Sequence, residues 1–130
     1  MYPETYRYTK EHEWVLVEAD TATVGITFHA QEQLGDIVFV ELPAIGDKVS
    51  KEDAFGVVES VKSVNDVYAP ISGKVLEVND DLPENPEMVN DDPYGDGWMI
   101  KIELTDAEEL DDLMSAEEYK DYVAEEEEKE

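Results

Sequence analysis

Gly56-Val57-Val58-Glu59-Ser60-Val61-Lys62-Ser63-Val64-Asn65-Asp66-Val67-Tyr68-Ala69-Pro70 reads as two valine-rich strand segments around a polar centre. The β-branched residues favour extended backbone on both sides. Gly, Pro and Asn-Gly, the usual makers of a tight reversal, are missing around Lys62. Turn rules alone therefore leave two readings open. Either the segment is a hairpin with Lys62 at its tip, or it is one long edge strand with an exposed lysine. As a residue type, a lysine here is an ordinary surface charge.

Working outward, similar strand material surrounds this stretch. Tyr6–Tyr8 and Trp14–Val17 come first, then Ala22–Thr27, which can pair with the second through a turn at Ala19-Asp20-Thr21. Thr27 can cap a short helix over Ala30–Leu34, with Gly35 ending it. Asp36–Leu42 carries the β-branched and aromatic content of a buried strand. Asp66–Ala69, Lys74–Val78 and Trp98–Leu104 complete the strand set, and the Pro- and Asp-rich residues 80–97 read as a long loop. Trp14, Phe39 and Trp98 are expected in the core. Pro43-Ala44-Ile45-Gly46 before Lys48-Val49 echoes Pro70-Ile71-Ser72-Gly73 before Lys74-Val75. Such an echo suits two similar β halves packed as a small barrel or sandwich.

The C-terminal part changes character. Thr105-Asp106-Ala107-Glu108 and Ser115-Ala116-Glu117-Glu118 both match the capping-box pattern, so two short helices are expected. The expectation is one domain over residues 1–130: a core of about 5–104, an acidic helical segment 105–124 and a frayed tail 125–130.

The totals bound the function classes. Cysteine is absent, which excludes a disulfide framework, a thiolate metal site and a cysteine nucleophile. Thirty-five Asp plus Glu against nine Lys plus Arg give a net charge of -26, which argues against nucleic acid and anionic membranes as partners. The acids are spread along the whole chain and lysine is scarce, as in proteins solvated for high salt, so a halophilic source is expected. Met1–Thr5 has neither the basic flank nor the apolar stretch of a signal peptide, and a cytoplasmic location is expected. No nucleophile–base pair or phosphate-binding glycine loop is visible, and His12 has no second histidine close in sequence, so neither an enzyme nor a metal site is expected.

A resemblance adds to this reading. Thr9-Lys10-Glu11-His12-Glu13-Trp14-Val15, Gly25–Gln31, Leu34–Pro43, Val58-Glu59-Ser60-Val61-Lys62-Ser63, Ala69–Gly73, Val78-Asn79, Pro93-Tyr94-Gly95 and Gly97-Trp98-Met99 stand in family order. Together they resemble the glycine cleavage H proteins over almost the whole chain. The Lys62 segment is similar to the family's lipoylation site. Biotin carriers place methionine on both sides of their lysine, whereas Val61 and Ser63 stand here. Lipoyl domains of 2-oxoacid dehydrogenases lack the Glu11-His12-Glu13-Trp14 start and the acidic helical C-terminus.

The resemblance implies a mainly β fold of the lipoyl/biotinyl type, a hybrid barrel-sandwich with short helices including a helical C-terminus. It implies lipoate in amide linkage to Lys62, on a carrier with no catalytic centre of its own. Its partners would be the pyridoxal-phosphate glycine decarboxylase (P protein), the tetrahydrofolate-dependent aminomethyltransferase (T protein), dihydrolipoyl dehydrogenase (L protein) and a lipoate-attaching enzyme, with the carrier itself a monomer. By the same resemblance, Glu13, His29 and Asp66 are candidate contacts for the arm, the two acids as countercharge to its amine. Glu59 and Ser60, just before the lysine, are candidates for recognition by the attaching enzyme. Two other readings remain at this stage: a lipoyl donor in a lipoate relay, and an unmodified acidic interaction module.

Overall fold

The computed structural model describes residues 2–128; Met1, Lys129 and Glu130, the last two in the expected acidic tail, lie outside the described residues. In chain order the elements are β1 (Arg7–Tyr8), β2 (Glu13–Glu18), β3 (Thr21–Ile26), α1 (Phe28–Leu34), β4 (Ile37–Glu41), β5 (Lys48–Val49), β6 (Ala54–Ser60), β7 (Val64–Tyr68), β8 (Gly73–Val78), α2 (Met88–Asp91), β9 (Ile100–Leu104), a 3-10 turn (Ala107–Asp112) and α3 (Ala116–Glu128). The strands form two sheets, one ordered β1-β2-β3-β9-β8-β5 and one ordered β4-β6-β7, with every pairing antiparallel. Mainly β, with two sheets and a C-terminal helix, is the architecture expected from sequence. No described helix is long and apolar enough to cross a membrane.

Alternation sets which face each strand buries. Ala22, Val24 and Ile26 on β3 point inward with Ile100 and Ile102 on β9, and they meet Val40, Val58 and Val67 of the smaller sheet in one apolar cluster. Burying each of these valine and isoleucine side chains stabilises the fold by about 1.5–3 kcal/mol. The turn between β2 and β3 places Ala19 at φ 56, and the strands leave it in register from Glu18 opposite Thr21 to Glu13 opposite Ile26. The echo seen in sequence has a direct outcome. Its two Lys-Val strands, β5 and β8, lie side by side with Lys48 opposite Lys74.

The local signals at helix ends are realised. Thr27 caps α1 by accepting the Ala30 N–H on Oγ1 at 3.2 Å, and Gly35 ends it at φ 79. Ser115 and Glu118 form the reciprocal capping box, each side chain accepting the other's backbone N–H at 2.9 and 3.2 Å. At the upstream site Asp106, not Thr105, is the cap, and it leads into a 3-10 turn.

Four features differ from expectation. Asp36–Leu42 is not a buried strand: β4 is an edge of the three-stranded sheet, so only Ile37 and Val40 are buried. Phe39 consequently faces outward at 43% exposure and is not core. Trp14 is buried as expected, and Trp98 packs half-buried against its cluster. Residues 80–97 form a packed connection and not an open loop, with Leu82 and Val89 fully buried and α2 inside it. Finally, the helix expected to stop at residue 124 continues to Glu128. Tyr119, Tyr122, Val123 and Glu126 recur at helical spacing, and Tyr119 stacks on Tyr8 with ring centres 4.8 Å apart. That anchored face holds the acidic turns in helix despite the unfavourable dipole at their end.

Candidate functional site

β6 and β7 pair from Val57 opposite Asp66 to Glu59 opposite Val64, which leaves Ser60-Val61-Lys62-Ser63 as the reversal. The open question of the sequence is thus answered by a hairpin with Lys62 at its tip. The Ser60 side chain makes the turn. Its Oγ accepts the N–H of Lys62 at 3.1 Å and of Ser63 at 3.2 Å, while the Ser60 N–H donates to the Ser63 carbonyl at 2.8 Å. The hydroxyl substitutes for the left-handed residues that a tight turn otherwise needs. The tip is also tied sideways, since the Val61 N–H donates to the Asp36 carbonyl at 3.1 Å.

Lys62 is exposed, and the ion pairs among the described residues do not include it. Its stem runs past the end of α1. A Cβ placed on Gly35 would stand 3.5 Å from the Lys62 Cε and 3.9 Å from its Cδ, ordinary contact distances, so the stem lies against the Gly35 backbone. Below it, Asn90 fixes the base: its Nδ2 donates to the Gly35 carbonyl at 2.9 Å, and its Oδ1 accepts the Ile37 N–H at 2.9 Å.

Around the tip lies an apolar collar. Val38, Phe39, Val61 and Val64 are 54%, 43%, 67% and 65% exposed. Registers place Phe39, Glu59 and Val64 in one row across the sheet, with the half-buried Glu59 in the middle. Exposed apolar groups clustered like this mark a docking surface more often than scattered ones do. Sequence reading missed the collar because Ile37-Val38-Phe39-Val40 has the composition of a core strand. Only the edge position turns half of it outward.

Glu13 sits inside the molecule, 2% exposed, where the two sheets meet. Thr9 Oγ1 donates to its Oε1 at 2.6 Å, and the Tyr68 N–H reaches its Oε2 at 3.5 Å. Burial pushes its carboxyl up to about 7, an effect its two hydrogen bonds only partly offset. Glu13 lines a cleft of about 620 Å³ together with Tyr8, Thr9, Tyr68, Pro70 and Met114. Glu11, Glu52 and Asp112 add acid to the lining, and Lys51 is held there in an ion pair with Asp112. Asp66 is exposed on β7, two residues from Tyr68. Four residue steps along β7, about 13 Å, separate Val64 near the tip from Tyr68 at the cleft.

His29 is engaged elsewhere. Its buried ring lies 4.9 Å from that of His12, and Glu127 of α3 approaches its Nδ1 at 3.9 Å. The structure therefore brings Glu13 and the β7 segment of Asp66 together, and gives His29 a different set of neighbours. It also supplies the second histidine that His12 lacks in sequence.

The matching family model is described as "Glycine cleavage H-protein" and covers residues 6–126. The chain is 57% identical to the glycine cleavage system H protein of Halothermothrix orenii, over 95% of this chain and 96% of that one. It is 54% identical to the H protein of Carboxydothermus hydrogenoformans, over 95% of each chain. A crystal structure of the H protein from Mycobacterium marinum superposes with a TM-score of 0.84 at 38% identity, covering 95% of this chain and 98% of that one.

Proposed function

We propose that this chain, which belongs to the glycine cleavage H-protein family, is the lipoyl-bearing shuttle of glycine cleavage, with the group in amide linkage to the Nζ of Lys62. The observation that carries the assignment is the tip itself: an exposed primary amine on a turn held by Ser60. A swinging attachment needs a fixed base and a free end. When bound, the group supplies the redox-active sulfur that this cysteine-free chain lacks.

The chain's own residues fit such a group. Amide formation removes the Lys62 charge, after which the collar of Val61 and Val64 and the bare Gly35 offer an apolar track along the stem. The cleft beside Tyr68 is lined by four acids, Glu11, Glu13, Glu52 and Asp112, against two lysines, Lys10 and Lys51, and this acidic excess suits the cationic amine derived from glycine. Glu13 supplies its buried carboxyl, and Asp66 supplies an exposed charge on the strand leading there. His29 does not line this cleft; its ring lies beside His12 and the end of α3.

On this reading the chain carries the aminomethyl group from the pyridoxal-phosphate decarboxylase to the tetrahydrofolate-dependent aminomethyltransferase, and dihydrolipoyl dehydrogenase reoxidises it. Each of these partners, and the enzyme that attaches lipoate, has to dock on the collar around Lys62. Ser60 then acts on attachment through the shape of the turn, and Glu59 through its place between Phe39 and Val64. The acid load serves solvation in high salt, supported by the spread of acids along the chain.

Intact-mass analysis and peptide mapping of protein from a lipoylation-competent host test the assignment. One lipoyl increment on Lys62, lost in Lys62→Arg together with glycine-dependent exchange activity, is the expected result. An unmodified Lys62 from a competent host would overturn it.

A further inference from the structure

We propose that His12, His29 and Glu126 form a binding site for one divalent transition-metal ion of the zinc class, which clasps the end of α3 onto the body of the protein.

The three residues are far apart in sequence and come from three places: the turn before β2, the first turn of α1, and the last turns of α3. Folding brings one potential ligand atom of each within 4.8 Å of the others. The His12 Nε2 and the Glu126 Oε2 are already 3.2 Å apart. Ligand atoms about 2.0–2.1 Å from a tetrahedral ion stand about 3.3 Å from one another. The pair thus has the required spacing, and the third atom needs an approach of at most about 1.5 Å, the difference between 4.8 and 3.3 Å, within reach of a side-chain adjustment. Two imidazoles and one carboxylate suit zinc and its neighbours, and disfavour magnesium and calcium, which prefer oxygen alone.

The surroundings behave as outer support for such a site. The far nitrogen of His12, Nδ1, lies 2.7 Å from the Tyr119 hydroxyl, which in turn lies 2.7 Å from the Thr27 hydroxyl. A ligating histidine characteristically gives its other N–H to a fixed acceptor, which leaves the near nitrogen's lone pair for the metal. The His12 backbone is held in place on both sides, its N–H donating to the Thr9 carbonyl at 3.1 Å and its carbonyl accepting the Thr27 N–H at 3.0 Å. It sits at φ 70, a conformation that costs a non-glycine residue energy and tends to be kept where placement matters. His29 is buried, whereas Glu126 stands at the surface, so an ion can enter from the α3 side. Glu127, 3.9 Å from the His29 Nδ1, adds a further carboxylate beside the site.

The test is calorimetric titration of the full-length chain with Zn²⁺ alone, in molar KCl to suppress loose binding by the acidic surface. It is run on the native protein under non-reducing conditions and on Lys62→Arg, so that the outcome is independent of what Lys62 carries. Expected are one equivalent of Zn²⁺, an affinity at least tenfold lower in Glu126→Gln and in His29→Gln, and ¹⁵N shifts of both imidazoles on binding. Glu126 is half-exposed, so its amide variant keeps the fold, which circular dichroism verifies. Weak binding of several ions, equal in Glu126→Gln and with unshifted imidazoles, would show that the acidic surface alone takes up metal and would overturn the proposal.

Discussion

Replacing Ser60 by alanine removes the hydroxyl that reverses the chain at Lys62 and leaves the rest of the hairpin intact. Two N–H groups, those of Lys62 and Ser63, lose their acceptor. A hydrogen bond of this kind contributes about 0.5–1.5 kcal/mol net, so two give about 1–3 kcal/mol. Ser60 itself is buried, but its donors lie at an exposed tip where water can partly replace it, which places the expected loss near the lower half of that range. The effect is local. Hydrogen exchange at the Lys62 and Ser63 amides should accelerate roughly 5- to 30-fold, the factor that 1–2 kcal/mol represents. Amides in the middle of β6, paired on both sides, should change little. Modification of Lys62 by the attaching enzyme should slow in parallel, because the lysine then leaves the turn in many directions. Unchanged exchange at both amides in Ser60→Ala would refute the assignment of the turn to this hydroxyl. Recovery in Ser60→Asn, whose short side chain can accept the same N–H groups, would separate turn geometry from a direct contact between Ser60 and the enzyme.

Glu13 gives a pH signature. Its folded value of about 7 lies above the ordinary 4.5, so the folded chain holds a proton that the unfolded chain has released. Its contribution to stability is therefore full below 4.5, falls as pH rises toward 7, and is constant above; the total is about 3 kcal/mol from the 1.36 kcal/mol carried by each unit. Denaturant titrations of the wild type and of Glu13→Gln should show a stability difference that declines for the wild type over that window, and a flat difference would place Glu13 in contact with water. Salt should stabilise the protein. With a net charge of -26 spread over the surface, molar KCl screens self-repulsion and should raise Tm by several degrees, whereas an unchanged Tm would mean that the charges are too dispersed to matter.

How far the sequence reached depended on whether the signal was local. Thr27 with Ala30, Gly35 with Gln31, and Ser115 with Glu118 are interactions across three or four residues, and they stand where spacing put them. Lys62 was legible as the attachment candidate only through resemblance. The feature that turns the chain is a serine hydroxyl, which is as common in strands and loops as in turns. Phe39 misled because composition reports that a strand is apolar, not whether a neighbour covers both its faces. The helix beyond residue 124 was hidden for the opposite reason. Its glutamates read as tail, and what holds them is Tyr119 on Tyr8 and Glu126 beside His12, contacts made across more than a hundred residues. The two histidines, His12 and His29, lie in different elements, and only the fold brings their rings together. Glu13 was named from resemblance alone. Its burial, and the proton that burial retains, required the meeting of two sheets.

The collar of Val38, Phe39, Val61 and Val64 has one more implication. β4 and β7 are both sheet edges, and a greasy row beside an open edge is the usual recipe for self-stacking. Here any such encounter brings together two chains of charge -26, with Asp36, Glu41 and Asp66 close to the contact. Like-charge repulsion thus acts as a chaperone that never leaves the molecule. It lets a sticky patch stay naked in a crowded cell without precipitating its owner. The patch is spent only on surfaces that bring enough positive charge, or enough counterions, to cancel the acid around it.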